Sequence, residues 1–207
     1  MIDFGLVALV FGPIVLLELP DKTFVATLVL STRYRPLAVW IGVGLAFGVQ
    51  CLVAVTAGQA ISYLPEWVVH TATLVIFLLG AVVLIRSAPS AAAEEKEQEA
   101  EFAEQVANDD GRGPSMRRAA VASFLVIFAA EWGDLSQLFT ASFVSHHGNP
   151  LSVFIGSWAA LLLVSGLAAL AGRWLVQRMP LALLHYIGAA VCLGFAVWTA
   201  FQLVGSL

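Results

Sequence analysis

The sequence predicts an all-α integral membrane protein with six transmembrane helices arranged as two inverted three-helix repeats. Three observations carry that prediction. Of the 207 residues, 60% are hydrophobic and only 12% are charged, with a mean hydropathy of +0.90; soluble domains carry roughly a quarter charged residues. The apolar residues gather into long runs, and a spanning helix needs about 20 of them at 1.5 Å rise per residue. The two halves of the chain also share an ordered series of residues. A soluble globular domain, a disordered chain, a collagen and a disulfide scaffold are thereby excluded. Cys51 and Cys192 lie inside apolar runs and read as small hydrophobes.

Six runs are long enough to cross: 2–32, 37–64, 67–85, 119–145, 151–176 and 181–207. No Lys or Arg precedes the first run, so a cleaved signal peptide is not expected. The one long polar stretch, 86–118, contains EEKEQEAEFAEQ, a good helix former without an apolar face that reads as a solvated linker or a collector of cations. The domain plan is therefore a first three-helix repeat at 1–85, a cytoplasmic acidic linker at 86–118 and a second repeat at 119–207.

The repeat is ordered along its length. Glu18-Leu-Pro-Asp-Lys-Thr-Phe-Val-Ala-Thr27 aligns with Glu131-Trp-Gly-Asp-Leu-Ser-Gln-Leu-Phe-Thr140. Downstream, Pro36-Leu-Ala-Val-Trp-Ile-Gly42 aligns with Pro150-Leu-Ser-Val-Phe-Ile-Gly156, and Gly58, Pro65 and His70 with Gly172, Pro180 and His185. An odd number of spans per repeat sets the halves in opposite orientations, the plan of many secondary transporters. Charge placement bears on the same topology. Arg33 and Arg35 follow the first span; Arg86, Lys96, Arg112, Arg117 and Arg118 follow the third; Arg173 and Arg178 lie near the end of the fifth. The other side carries no Lys or Arg. The positive-inside rule then places loops one, three and five in the cytoplasm and both termini outside, in a bacterial inner membrane.

Charges inside the spans carry the chemistry. Glu18, Asp21 and Lys22 interrupt the first run, and Glu131 and Asp134 the fourth. A charge at the bilayer centre costs about 2.5–3.5 kcal/mol or more, and one lysine cannot pair four carboxylates. They must line a wet cavity, hold protons or hold a cation. Each Glu/Asp pair sits at i and i+3, on one helix face, and Lys22 at i+4 from Glu18 is its expected salt-bridge partner. Thr23 and Ser136 follow in the two motifs, with Gln137 and the matched Thr27 and Thr140 beyond. Pro20 and Gly133 loosen the helix at the same point, freeing carbonyls that are tolerated at depth only where they line a cavity. An all-oxygen site suits hard divalent ions such as Ca²⁺ and Mn²⁺. Its ligands must be deprotonated to bind metal, so release and protonation are linked.

The paired motifs resemble the Glu-x-Gly-Asp-(Lys/Arg)-(Thr/Ser) signature of the transporter family once catalogued as uncharacterised protein family sixteen, which includes Golgi manganese and calcium transporters and bacterial manganese exporters. The resemblance covers the whole chain. It implies a non-enzymatic secondary transporter exchanging a divalent cation, Mn²⁺ or Ca²⁺, for protons; the direction of the proton gradient then points to export from the cytoplasm. It further implies a metal site of Glu18, Asp21, Glu131 and Asp134, with Thr23, Ser136 and Gln137 as supporting ligands. Lys22 reads by its own position as charge balance for Glu18 or as a gate. Two positions depart from the signature: Pro20 replaces Gly, and Leu135 replaces Lys or Arg, which makes the site more negative by one charge.

The expected partners are the ion, protons and the lipid bilayer. A homo-oligomer is allowed, and neither a nucleic acid nor a resident cofactor is expected. Two other functions use the same residues. In one, the carboxylates are counter-ions for a small organic cation exported against protons. In the other, Asp21 and Asp134 form the dyad of an intramembrane aspartyl protease, which leaves Glu18 and Glu131 unexplained. No P-loop, HExxH or G-x-S-x-G occurs. Elsewhere the plainer readings lead: Gln50 bonds between helices, His70 and His185 sit at span starts, and His146 and His147 occupy a solvated external turn.

Overall fold

A computed structural model describes residues 2–19, 21–107, 115–176 and 181–205. The expectations resting on Pro20, Arg112, Arg178, Pro180 and Leu207 fall outside those residues. The described residues form helices throughout, with no strand: α1 (Phe4–Glu18), α2 (Lys22–Arg33), α3 (Pro36–Ile61), α4 (Glu66–Ser87), α5 (Ala91–Ala107), α6 (Met116–Ala130), α7 (Leu135–His147), α8 (Pro150–Val176) and α9 (Leu181–Gly205).

Local chemistry sets the ends. The Asp3 carboxylate accepts from the Leu6 amide at 3.1 Å and the Ser115 hydroxyl from the Arg118 amide at 3.3 Å, each satisfying an orphan donor of a first helical turn. Pro36 opens α3, where a missing N–H costs nothing. Gly148 closes α7 at φ +61°, a left-handed stop that suits glycine.

Four helices are long and apolar enough to cross a membrane: stretches of α3, α4, α8 and α9. The runs 2–32 and 119–145 are each broken instead. α1 and α2 meet at 69°, and α6 and α7 at 73°, so the span count reaches six if each bent pair crosses. Within the polar stretch, α5 contacts α2 and α9.

α3 and α8 form the centre of the bundle. α3 packs on α6, α7 and α8, while α8 packs on α1, α2 and α3; α4 lies along α9. Close approach relies on small residues, as between helices in lipid. A Cβ on Gly42 would stand 2.1 Å from the Ala120 carbonyl oxygen, and one on Gly156 2.7 Å from that of Val7. Indoles lock the centre: Trp40 Nε1 donates to the Leu162 carbonyl at 2.9 Å, and Trp158 Nε1 to that of Gly44 at 2.8 Å. Outward faces carry bare apolar side chains such as Leu170, Phe201 and Val204. Lipid can cover these; water would penalise them.

Candidate metal centre

Both bent pairs break at the acidic motif. Glu18 is the last residue of α1 and Asp21 the N-cap of α2; Glu131 caps α6 and Asp134 precedes α7. In each motif the aspartate amide donates back to the glutamate carbonyl, at 3.2 Å for Asp21 to Glu18 and 3.4 Å for Asp134 to Glu131. The second turn needs Gly133 at φ +82°, a conformation that costs other residues roughly 1–2 kcal/mol. Each glutamate thus stands at the carbonyl end of one half-helix and each aspartate at the amide end of the next. The amide end favours negative charge and the carbonyl end a cation.

The four carboxylates converge. One oxygen from each of Glu18, Asp21, Glu131 and Asp134 can be chosen so that all lie within 4.8 Å of one another. Glu18 and Glu131 are each 1% exposed, and the aspartates are half-buried. Repulsion at that separation amounts to about 3 kcal/mol per ionised pair at an effective dielectric of 20. Several oxygens are buried without a hydrogen-bond partner among the described residues: Glu18 Oε1, Asp21 Oδ2 and both of Glu131. Buried polar atoms are normally satisfied, so this set is short of positive partners. The Thr23 hydroxyl donates to Glu18 Oε2 at 2.9 Å.

Lys22 takes partners other than the one its spacing predicts. Its Nζ lies 3.8 Å from Glu131 Oε1 and 3.9 Å from Asp134 Oδ1, across to the second motif instead of back to Glu18. The reason is the break itself: with the helix interrupted between Glu18 and Lys22, the i, i+4 geometry is lost and Lys22 opens a new helix. Gln137 is also occupied. Its Oε1 accepts from the Gly133 amide at 3.2 Å and its Nε2 donates to the Glu131 carbonyl at 2.6 Å, bracing the turn. Thr140 donates to the Ser136 carbonyl at 2.7 Å and meets Ser157 Oγ at 3.0 Å. Thr27 is buried with its hydroxyl unpartnered among the described residues. Gln50 Nε2 donates to the Phe128 carbonyl at 3.2 Å, a bond between α3 and α6.

Two residues beside the centre escape sequence reasoning. Gln98 and Glu101 of α5 line a cavity of about 600 Å³ with Lys22 and the α6 residues Leu125, Val126, Ala129 and Ala130. Nothing in the repetitive Glu-rich segment distinguishes them; only the docking of α5 selects them.

Two split half-helices thus bring four carboxylates together at their junction, an arrangement that could hold a cation. Residues 6–92 and 119–206 match the family described as divalent cation/proton antiporter GDT1. The chain belongs to that family. It is a family of transporters, not of enzymes. Similar proteins include "Protein PAM71, chloroplastic" of Arabidopsis thaliana, 27% identical over 203 residues, covering 90% of this chain and 54% of the relative. "GDT1-like protein sll0615" of Synechocystis is 28% identical over 189 residues, covering 88% and 91%. A Vibrio cholerae protein named "Putative manganese exporter" is 28% identical over 201 residues, covering 95% and 91%. The chain spans 54% to 60% of the length of several plant relatives. No solved structure matches it.

Proposed function

We propose that this protein is a secondary antiporter that exchanges a divalent cation, Mn²⁺ or Ca²⁺, for protons and exports the cation from the cytoplasm. The observation that carries the reading is the meeting of Glu18, Asp21, Glu131 and Asp134 within 4.8 Å. Four carboxylates and one lysine leave a formal charge of −3 if all ionise. A divalent cation offsets most of that, and protons do the same when the cation leaves. Thr23 and Ser136 contribute hydroxyl oxygens, and Gln137 joins as a ligand when its amide leaves the Glu131 turn. Lys22 is a tethered cation that holds Glu131 and Asp134 until the metal displaces it. All donors are oxygen, which favours hard ions and needs no resident cofactor. The name of the Vibrio relative favours Mn²⁺.

Six spans in two inverted halves, with 1–85 and 119–207 as the repeats and 86–118 between them, fit the packing. Gly42 meets Ala120 and Gly156 meets Val7, and these are matched positions of the two halves read in exchange. The α3–α6 and α8–α1 packings exchange in the same way. A two-fold relation in the membrane plane would bring the motifs face to face. The arginine-bearing loops then lie in the cytoplasm and both termini outside a bacterial inner membrane; a homo-oligomer is compatible with this plan.

The test is transport by purified protein in liposomes. A pH gradient should drive Mn²⁺ uptake, and excess Ca²⁺ should compete, as an organic-cation exporter would not require. Glu18→Gln and Glu131→Gln should each reduce uptake at least a hundredfold. Uptake that survives both substitutions would sink the proposal.

A further inference from the structure

A second polar cluster lies outside the acid centre, at the end of α4 remote from Arg86. A cavity of about 870 Å³ opens between α1, α4, α7 and α9, and His70, His146 and His147 line it. No Asp or Glu is among its described lining residues. One face of α4 meets one face of α7 there in three layers. The His70 and His146 rings stand edge to face with centroids 4.8 Å apart. Beneath them the Ser142 hydroxyl donates to Thr73 Oγ1 at 3.0 Å, and below that Phe77 packs on Phe139 at 4.5 Å.

The chemistry of His146 is specific. Its Nδ1 lies 3.0 Å from the Ser142 carbonyl oxygen, and a carbonyl only accepts, so Nδ1 carries the hydrogen. Nε2 is then left with its lone pair, buried and without a hydrogen-bond partner among the described residues. Metal-ligating histidines are held in this way, with the outer N–H fixed on a backbone carbonyl and the other nitrogen free. The 4.8 Å centroid separation is close to the roughly 5 Å of two imidazoles on one tetrahedral ion at 2.0–2.1 Å, and binding requires the His70 ring to turn out of its edge-to-face contact. The donor set differs in kind from the acid centre, because imidazole suits Zn²⁺, Cu²⁺ and Ni²⁺, whereas carboxylate suits Mn²⁺ and Ca²⁺.

We propose that His70 and His146 form a second metal site, separate from the acid centre, that takes a borderline transition ion such as Zn²⁺ and pins α4 to α7. The cavity of about 870 Å³ beside them has room for waters to complete a coordination shell. Asp134 caps the opposite end of α7 and Ser136 lies in its first turn, so an ion bound here restrains the helix that positions these two residues beside the acid centre. Zn²⁺ is accordingly an inhibitor acting from a distance instead of a competitor for the carboxylates.

The test uses the full chain without a histidine tag, carrying Glu18→Gln and Glu131→Gln to weaken the acid centre, titrated with ZnCl₂ by calorimetry. Saturable binding is expected, with affinity reduced about tenfold or more by His70→Gln or His146→Gln and unaffected by excess Ca²⁺. Electron paramagnetic resonance of bound Cu²⁺ should show nitrogen coupling that both histidine substitutions diminish. If the carboxylate double variant does not elute as a folded protein, the unsubstituted chain is titrated in excess Ca²⁺, which occupies the acid centre. Affinity indifferent to both histidine substitutions, or no Zn²⁺ binding by folded protein, overturns the site. Because this titration needs no transport, its failure leaves the antiport reading standing, and failed Mn²⁺ transport leaves the histidine site standing.

Discussion

Lys22 is the residue on which the charge balance of the centre turns. It faces Glu131 and Asp134 at nearly equal distances, yet it is also 36% exposed, so solvent screens much of its attraction. On the proposed function, a tethered ammonium competes with a diffusible ion for the same oxygens. Lys22→Gln should therefore tighten Mn²⁺ binding by about tenfold, equivalent to about 1.4 kcal/mol, as read by calorimetry at constant pH. Weaker binding would show that Lys22 organises the carboxylates instead of competing for them. Gly133 offers a second test. Its Cβ position is open, with nothing within 4 Å, but its φ is +82°. Gly133→Ala should destabilise by about 1 kcal/mol through backbone strain alone, lowering the detergent melting temperature by a few degrees. Gly133→Pro should fail to form the turn, since proline is locked near −65°.

At the scale of elements, the contacts that hold α3 to α6 and α8 to α1 leave no room for a methyl group. In Gly42→Ala the new carbon would sit 2.1 Å from a backbone oxygen, and in Gly156→Ala 2.7 Å. Backbone cannot rotate away as a side chain can, so the helices must part. Overpacking of this kind costs about 1–3 kcal/mol or more. Both variants should melt earlier, Gly42→Ala by the larger margin. Gly12→Ala is the control, because a Cβ there meets nothing within 4 Å. Equal melting of all three would show that the close approaches do not limit stability. The broken pairs belong to this scale too. The motifs read from sequence mark where α1 and α6 end, but the bends of 69° and 73° decide where the next half-helices point. That redirection moves Lys22 off Glu18 and onto the opposite motif.

For the whole molecule, orientation is the property most open to measurement. Native Cys51 and Cys192 are 2% and 1% exposed, so they should not compete for a membrane-impermeant maleimide. Ser62→Cys, in the exposed link between α3 and α4, should label in intact cells. Lys96→Cys, exposed on α5, should label only after permeabilisation. The reverse pattern would invert the orientation read from the arginines.

The sequence by itself determined the helical class, the long apolar helices, the break points at the two acidic motifs and which four carboxylates lie there. Each of these follows from local properties: run length against bilayer thickness, the cost of a charge in lipid, and a motif written twice. Tertiary structure alone decided the cross-motif partners of Lys22, the bracing role of Gln137, the docking of α5 beside the centre and the meeting of His70 with His146. Those contacts join residues far apart in the chain, and their geometry depends on how two bent helices are aimed, which no periodicity along the chain encodes.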